Sequence, residues 1–215
     1  MDSDKLKTDI EITLQENLIN DIYIAADAAI ACGLERLRNE EGIVPTCKSG
    51  CSYCCRFHIP TNIAEAQTLA KYVKRELSSE EINDLRMRTQ QWHEWNNFMP
   101  GGYSSVNIDE QADLTNYDPC CPLLVNDVCI AYPVRPLICR THFVCSHPLS
   151  CYAANNPEST EDAPEVLATI LTATSPFSMT IKDLIEKAGM DFSRSMMLLP
   201  HWLAIEMDWD FAISP

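Results

Sequence analysis

Ten of the eleven cysteines in this 215-residue chain lie in two short blocks, and those blocks contain almost no acid. The first runs Cys47-Lys48-Ser49-Gly50-Cys51-Ser52-Tyr53-Cys54-Cys55, and the second holds Cys120, Cys121, Cys129, Cys139, Cys145 and Cys151. No Asp or Glu occurs from Val44 to Pro60, and only Asp127 from Pro119 to Cys151, although the chain has 31 acidic residues and a net charge of −15. Clustered thiolates concentrate negative charge, so neighbouring carboxylates oppose their ionisation and basic neighbours favour it. The basic residues of the blocks are Lys48, Arg56, Arg135 and Arg140, with His58, His142 and His147 beside them. The pattern points first to a metal held by cysteines.

The length suits a single domain, 1–215, with a cysteine-cluster core over 44–151 and flanking helices in 1–43 and 163–215. The acidic balance argues against nucleic acid and anionic membrane surfaces as partners, since both demand a basic footprint. No apolar run reaches the roughly 18 residues of a membrane span, and the charged N-terminus has no secretory apolar region. The expectation is a cytoplasmic protein whose thiols stay reduced. Clustered cysteines there bind metal or do redox chemistry more often than they form disulfides.

Six glycines against many Ala, Leu, Ile, Glu and Lys predict a mainly α protein with a small β-hairpin, organised around a cysteine-ligated metal centre. Ile10, Leu14, Leu18 and Ile22 mark a long amphipathic helix, or two, from about Asp4 to Arg38, closed by Gly42. Asn62 with Glu65, and Ser78 with Glu81, are capping boxes that open helices running to about Glu76 and Trp95. Asn97–Pro119 and Ser146–Asp162 read as loops. Three further helices are expected near 163–173, 181–188 and 194–207, with Gly189 stopping the second and Pro200 interrupting the last.

In a helical first block, Cys47, Cys51, Cys54 and Cys55 would share one face within about a 100° arc. Cys47 and Cys55 would then stand roughly 12 Å apart along the axis, too far to reach one ion. Gly50 permits a bend that draws some of them together. Cys51-x2-Cys54 has the common chelating spacing, and at most one of Cys54 and Cys55 is expected to share a metal with Cys51 in a regular backbone.

The second block reads as two short strands around an Asn126-Asp127 turn, which brings Cys121 and Cys129 near the open end of the hairpin. Pro136 then opens a helix carrying Cys139. A hairpin end and a helix start can place three sulfurs around one site, with Arg135 and Arg140 as counter-charges to a bound group or, alternatively, in ordinary ion pairs.

The combined motifs resemble the bacterial cysteine-cluster proteins of YkgJ type, described as carrying a zinc- or iron-chelating domain. The residues that carry the resemblance are Cys47, Cys51, Cys54, Cys55, Cys121-Pro122-Leu123-Leu124, Cys129-Ile130-Ala131-Tyr132 and Arg135-Pro136-Leu137-Ile138-Cys139-Arg140. They span roughly residues 44 to 145, and the first gap is three residues where the family often has two. The resemblance implies eight metal-binding cysteines, with Cys145 taken as the eighth ahead of Cys120 and Cys151. A related pattern occurs in flagellin lysine methylases, which the resemblance implies hold an iron–sulfur cluster; their larger chain, and hence their activity, has no counterpart here.

Zinc and a [4Fe–4S] cluster both accept four thiolates. Zinc favours compact Cys-x2–4-Cys pairs, which only the first block contains. The second block's gaps of seven and nine residues suit a larger group. An iron–sulfur cluster joining the two blocks is therefore favoured, with redox or electron transfer to a protein partner, or chemistry at an open iron, as its use. The alternatives are a zinc module acting through partner contacts and a metal carrier. His142 and His147 flank Cys145 and could join a mixed site, although solvated or capping roles are the commoner fate of such residues. No nucleotide-binding, hydrolase or zinc-protease motif is present, and no substrate site is identifiable.

Overall fold

The computed structural model describes residues 16–48, 50–98, 120–154, 160 and 162–211. The expected start of the first helix and most of the Asn97–Pro119 loop lie outside these. The described part is mainly helical, with two two-stranded antiparallel sheets. Among the described residues no helix is long and apolar enough to cross a membrane.

Helix α1, Glu16–Arg36, runs into a π turn over Leu37–Glu41 and stops at Gly42, whose φ of +68° takes the left-handed conformation that ends helices. Asn62 caps α2, Ile63–Glu76, by accepting the Glu65 N–H, while its own amide donates to the Glu65 carboxylate. Ser78 and Glu81 also bond reciprocally at the start of α3, Ser79–Phe98, where the Ser78 backbone N–H donates to the Glu81 carboxylate and Ser78 Oγ accepts the Glu81 N–H. Both capping boxes are as the sequence predicts.

The hairpin is also where expected. Strands β2, Leu124–Val125, and β3, Val128–Cys129, flank Asn126 and Asp127, both at positive φ, as a two-residue hairpin turn requires. Pro136 then caps the short helix α4, Leu137–Thr141.

Three expectations are corrected. A helix α5, Pro148–Ala153, forms inside the segment read as a loop, with Pro148 at its first position and His147 as its cap. One helix, α6, Ala168–Lys187, replaces two; Pro176 sits within it, and Thr180 Oγ1 bonds back to the Pro176 carbonyl. Gly189, at φ +87°, stops it. Met196–Leu198, read as helix, is strand β4, paired with β1, Pro60–Asn62, in the register Pro60↔Leu198. Pro200 therefore lies in the first turn of α7, Leu199–Glu206, rather than inside a longer helix.

The core gathers Ile19, Tyr23, Ile63, Leu69, Leu123, Ile181, Leu199 and Trp202 from four helices and the hairpin arm. Helix α1 packs along α6, and Gly33 allows the approach: a Cβ there would stand 3.0 Å from Ile170 Cδ1. The Trp202 indole donates to the Thr61 carbonyl at 2.8 Å, which ties α7 to β1. The β1–β4 ribbon and α7 thus fix the segment that leads out of the first cysteine block.

Candidate metal centre

The first block is not an α-helix. Gly50 turns the chain at φ +83°, Cys51 N–H bonds the Lys48 carbonyl, and a single 3-10 turn spans Tyr53–Arg56. The regular spacing of an α-helix therefore does not apply to these cysteines. The turn brings the adjacent Cys54 and Cys55 together, so that the Cys55 thiol hydrogen-bonds Cys54. The blocks are joined directly: Cys121 N–H donates to the Cys55 carbonyl at 2.7 Å, and Ser52 Oγ to Asp127 Oδ1 at 2.6 Å.

Seven of the eight cysteines singled out from the sequence line one cavity of about 430 Å³: Cys47, Cys51, Cys54, Cys55, Cys121, Cys129 and Cys139. Asp127 is its one carboxylate among the described residues, and Lys48, Arg135 and Arg140 are its cations. Apolar walls come from Leu123, Val128, Ile138, Phe143 and Leu199. All eleven cysteines are free thiols.

Cys145 stands apart from this cavity. Its sulfur faces Glu165, 3.4 Å from Oε2, and a carboxylate there opposes thiolate formation. Cys151 is buried on α5, which packs against the Tyr53–Arg56 turn with Tyr53 and Tyr152 ring centroids 5.9 Å apart. Its thiol is pushed up to about 11 by burial and then by Cys47, Cys51 and Cys54. Sequence spacing could not separate these two cysteines, because α5 is reached only through tertiary packing.

The two arginines have different surroundings. Arg140 is buried, donates to Asp27 Oδ2 at 2.6 Å and to the carbonyls of Arg135 and Pro133, and stacks on Tyr23 at 4.1 Å. Although it lines the cavity, three of its donor groups serve the protein. Arg135 lies over the Tyr132 ring at 3.7 Å and lowers the proton affinity of Cys54 and Cys129. It is the cation that acts on the thiols.

Helix α4, which carries Cys139, is pinned at both ends. Arg140 holds its last turn. At its start the buried Glu65 carboxylate accepts from Leu137 N–H at 2.6 Å, and also from Tyr23 Oη and Asn62 Nδ2. Burial holds the Glu65 carboxyl above its usual range, against the pull of these donors and Arg140. Sequence reasoning found Glu65 only as a capping residue; nothing local signals its link to Leu137, 72 positions away.

Cys54 is lowered to about 7, first by the Cys55 hydrogen bond and then by its own backbone and Arg135. Cys55, Cys121, Cys129 and Cys139 are raised, Cys55 chiefly by the bond it gives Cys54 and the others chiefly by burial. Cys54 is the neighbour they share: it acts on Cys55, Cys121, Cys129 and Cys139, and on Cys47 and Cys151 as well.

His142 also lines the cavity, and its buried Nε2 makes no hydrogen bond. His147 is occupied as a cap, accepting Leu149 N–H at Nδ1. Among the described residues no three His, Cys, Asp or Glu side chains stand together as a ready-made ligand set for one ion. The thiols line walls instead of meeting at a point. The donor set nevertheless fits a thiolate-bound group: soft sulfurs, one carboxylate and facing cations. The cavity is roughly thirty times the ~10–15 Å³ that a single water-sized occupant needs. Comparisons with protein-family models, curated proteins and solved structures gave no match.

Proposed function

We propose that the protein holds an iron–sulfur cluster through thiols of both cysteine blocks and serves in redox or electron transfer. The observation that carries this reading is the meeting of seven cysteines from two distant segments on one cavity larger than a single ion requires. Cys55, Cys121, Cys129 and Cys139 would hold the cluster, since all four line that cavity behind apolar walls and the Cys121–Cys55 backbone bond joins the two blocks there. The resemblance to cysteine-cluster proteins counts these four among the eight metal-binding cysteines it implies.

When bound, such a cluster supplies electron-transfer chemistry at a potential set by its hydrogen bonds, charge and exposure to water. Arg135 lowers the cost of ionising the thiols, and Glu65 and Arg140 hold the helix that presents Cys139. Leu123, Ile138 and Phe143 restrict water. Exposed Val128, Tyr132 and Ile138 at the edge offer an apolar rim to a protein redox partner. Cysteine-to-serine variants of Cys55 and Cys139, prepared without oxygen, are expected to lose iron and visible absorption together, while Cys145→Ser keeps both. Full iron in Cys139→Ser would refute the joining of the blocks.

A further inference from the structure

The cavity carries positive charge that the protein itself leaves unpaired. Its volume of about 430 Å³ lies in the range of small-molecule sites, and Leu123, Leu124, Val128, Ile138 and Phe143 make much of its wall apolar. Of its three cations, Arg140 is engaged by Asp27 and by two backbone carbonyls. Lys48 is exposed and has no ion pair among the described residues. Arg135 makes one hydrogen bond among them, from Nη1 to the Tyr132 carbonyl at 3.0 Å, and no ion pair. The one lining carboxylate, Asp127, accepts from Ser52 Oγ at 2.6 Å. In a chain of net charge −15, acid is plentiful, yet none of it neutralises Arg135. The Tyr132 ring lies 3.7 Å from the Arg135 guanidinium and fixes its plane, so the remaining edge donors keep a set direction. Val128, Tyr132 and Ile138 are exposed at this edge of the cavity. An oriented guanidinium fork beside an apolar wall matches a carboxylate carried on a hydrocarbon body.

We propose that the open edge of the cavity binds a small organic anion, a carboxylate on an apolar or aromatic body, with Arg135 pairing the carboxylate and the apolar wall covering the body. Lys48 adds attraction at longer range. The site needs the cavity and its cations, and does not depend on which group the thiols hold. Arg135 also acts on Cys54 and Cys129, so an anion paired with it lies beside those thiols.

The test is a calorimetric titration of the full chain, purified without oxygen, with phenylacetate and separately with phenylacetamide, which has the same body and no charge. Iron and sulfide are measured in the same samples. Wild type is expected to bind the acid about 10–100-fold more tightly than the amide, the worth of hydrogen bonds to a charged group. Arg135→Gln should bring the acid down to the affinity of the amide. Arg135→Lys, which keeps the charge and loses the fork, should fall between. The amide serves as the control for damage to the cavity, since a distorted wall weakens both ligands and a lost cation only the acid. Ile138→Ser should accordingly weaken both. Should the arginine variants fail to fold, rising salt on wild type answers the same question: the acid should weaken and the amide hold. Equal affinity for acid and amide, binding of neither, or a preference for the acid that survives Arg135→Gln would overturn the site. Acid-selective binding in a protein lacking iron and sulfide would overturn the cluster reading and leave this one standing; an iron-loaded protein that binds no acid would do the reverse.

Discussion

Glu65 is buried where three elements meet, and its carboxylate answers donors from each: Tyr23 of α1, Asn62 before α2 and the Leu137 N–H that opens α4. Glu65→Ala leaves those donors without their acceptor, a loss expected to cost on the order of 3 kcal/mol, read as a lower denaturant midpoint. Glu65→Gln keeps an acceptor and the shape, and should lose less. The buried histidines give a second residue-scale prediction. His58 is pulled down to about 3 by burial and then by His201, and His93 and His142 are lowered by burial. Because the unfolded chain binds these protons near pH 6.5 and the folded chain resists them, the stability they contribute is complete above about pH 6.5. It drains away as pH falls toward about 3. His58→Phe, which keeps a ring against Trp92, should flatten that acid limb in unfolding measurements at pH 7.5 and 5; an unchanged slope would contradict the assignment.

At the scale of elements, the sequence was legible where the signal is local. Capping boxes, the Asn126-Asp127 turn and the glycine stops each depend on a few neighbouring residues, and each stands where predicted. Failures occurred where distant packing decides. Met196–Leu198 has a helical appearance alone but pairs with Pro60–Asn62, and Pro176 is carried inside α6. Helix α5 hid in a polar segment, and with it the position of Cys151. The cysteines as a group were plain in the sequence, while the separation of Cys145 from the cavity required the fold. Gly50 tests the turn that folds the first block: nothing lies within 4 Å of a Cβ built there, so Gly50→Ala meets only the cost of φ +83°. That cost is about 1 kcal/mol, or roughly 2–4 °C of melting temperature for a chain of this size. A variant melting at the wild-type temperature would mean that the turn relaxes without strain.

For the whole molecule, the cysteine cavity is a joint between chain segments. The first block, the hairpin and α4 meet on it, tied by the Cys55–Cys121 backbone bond, and α4 is in turn anchored to α1 through Tyr23 and Asp27. A group bound there would connect segments some seventy to ninety positions apart, which is how a metal adds to folding stability. The scarcity of acid in the two blocks suits thiols gathered on one cavity, since neighbouring carboxylates oppose their ionisation. The most direct measurement is iron and acid-labile sulfide per chain in protein purified without oxygen. The account predicts a coloured protein with iron and sulfide in equal amounts. A colourless, folded protein with neither would contradict it.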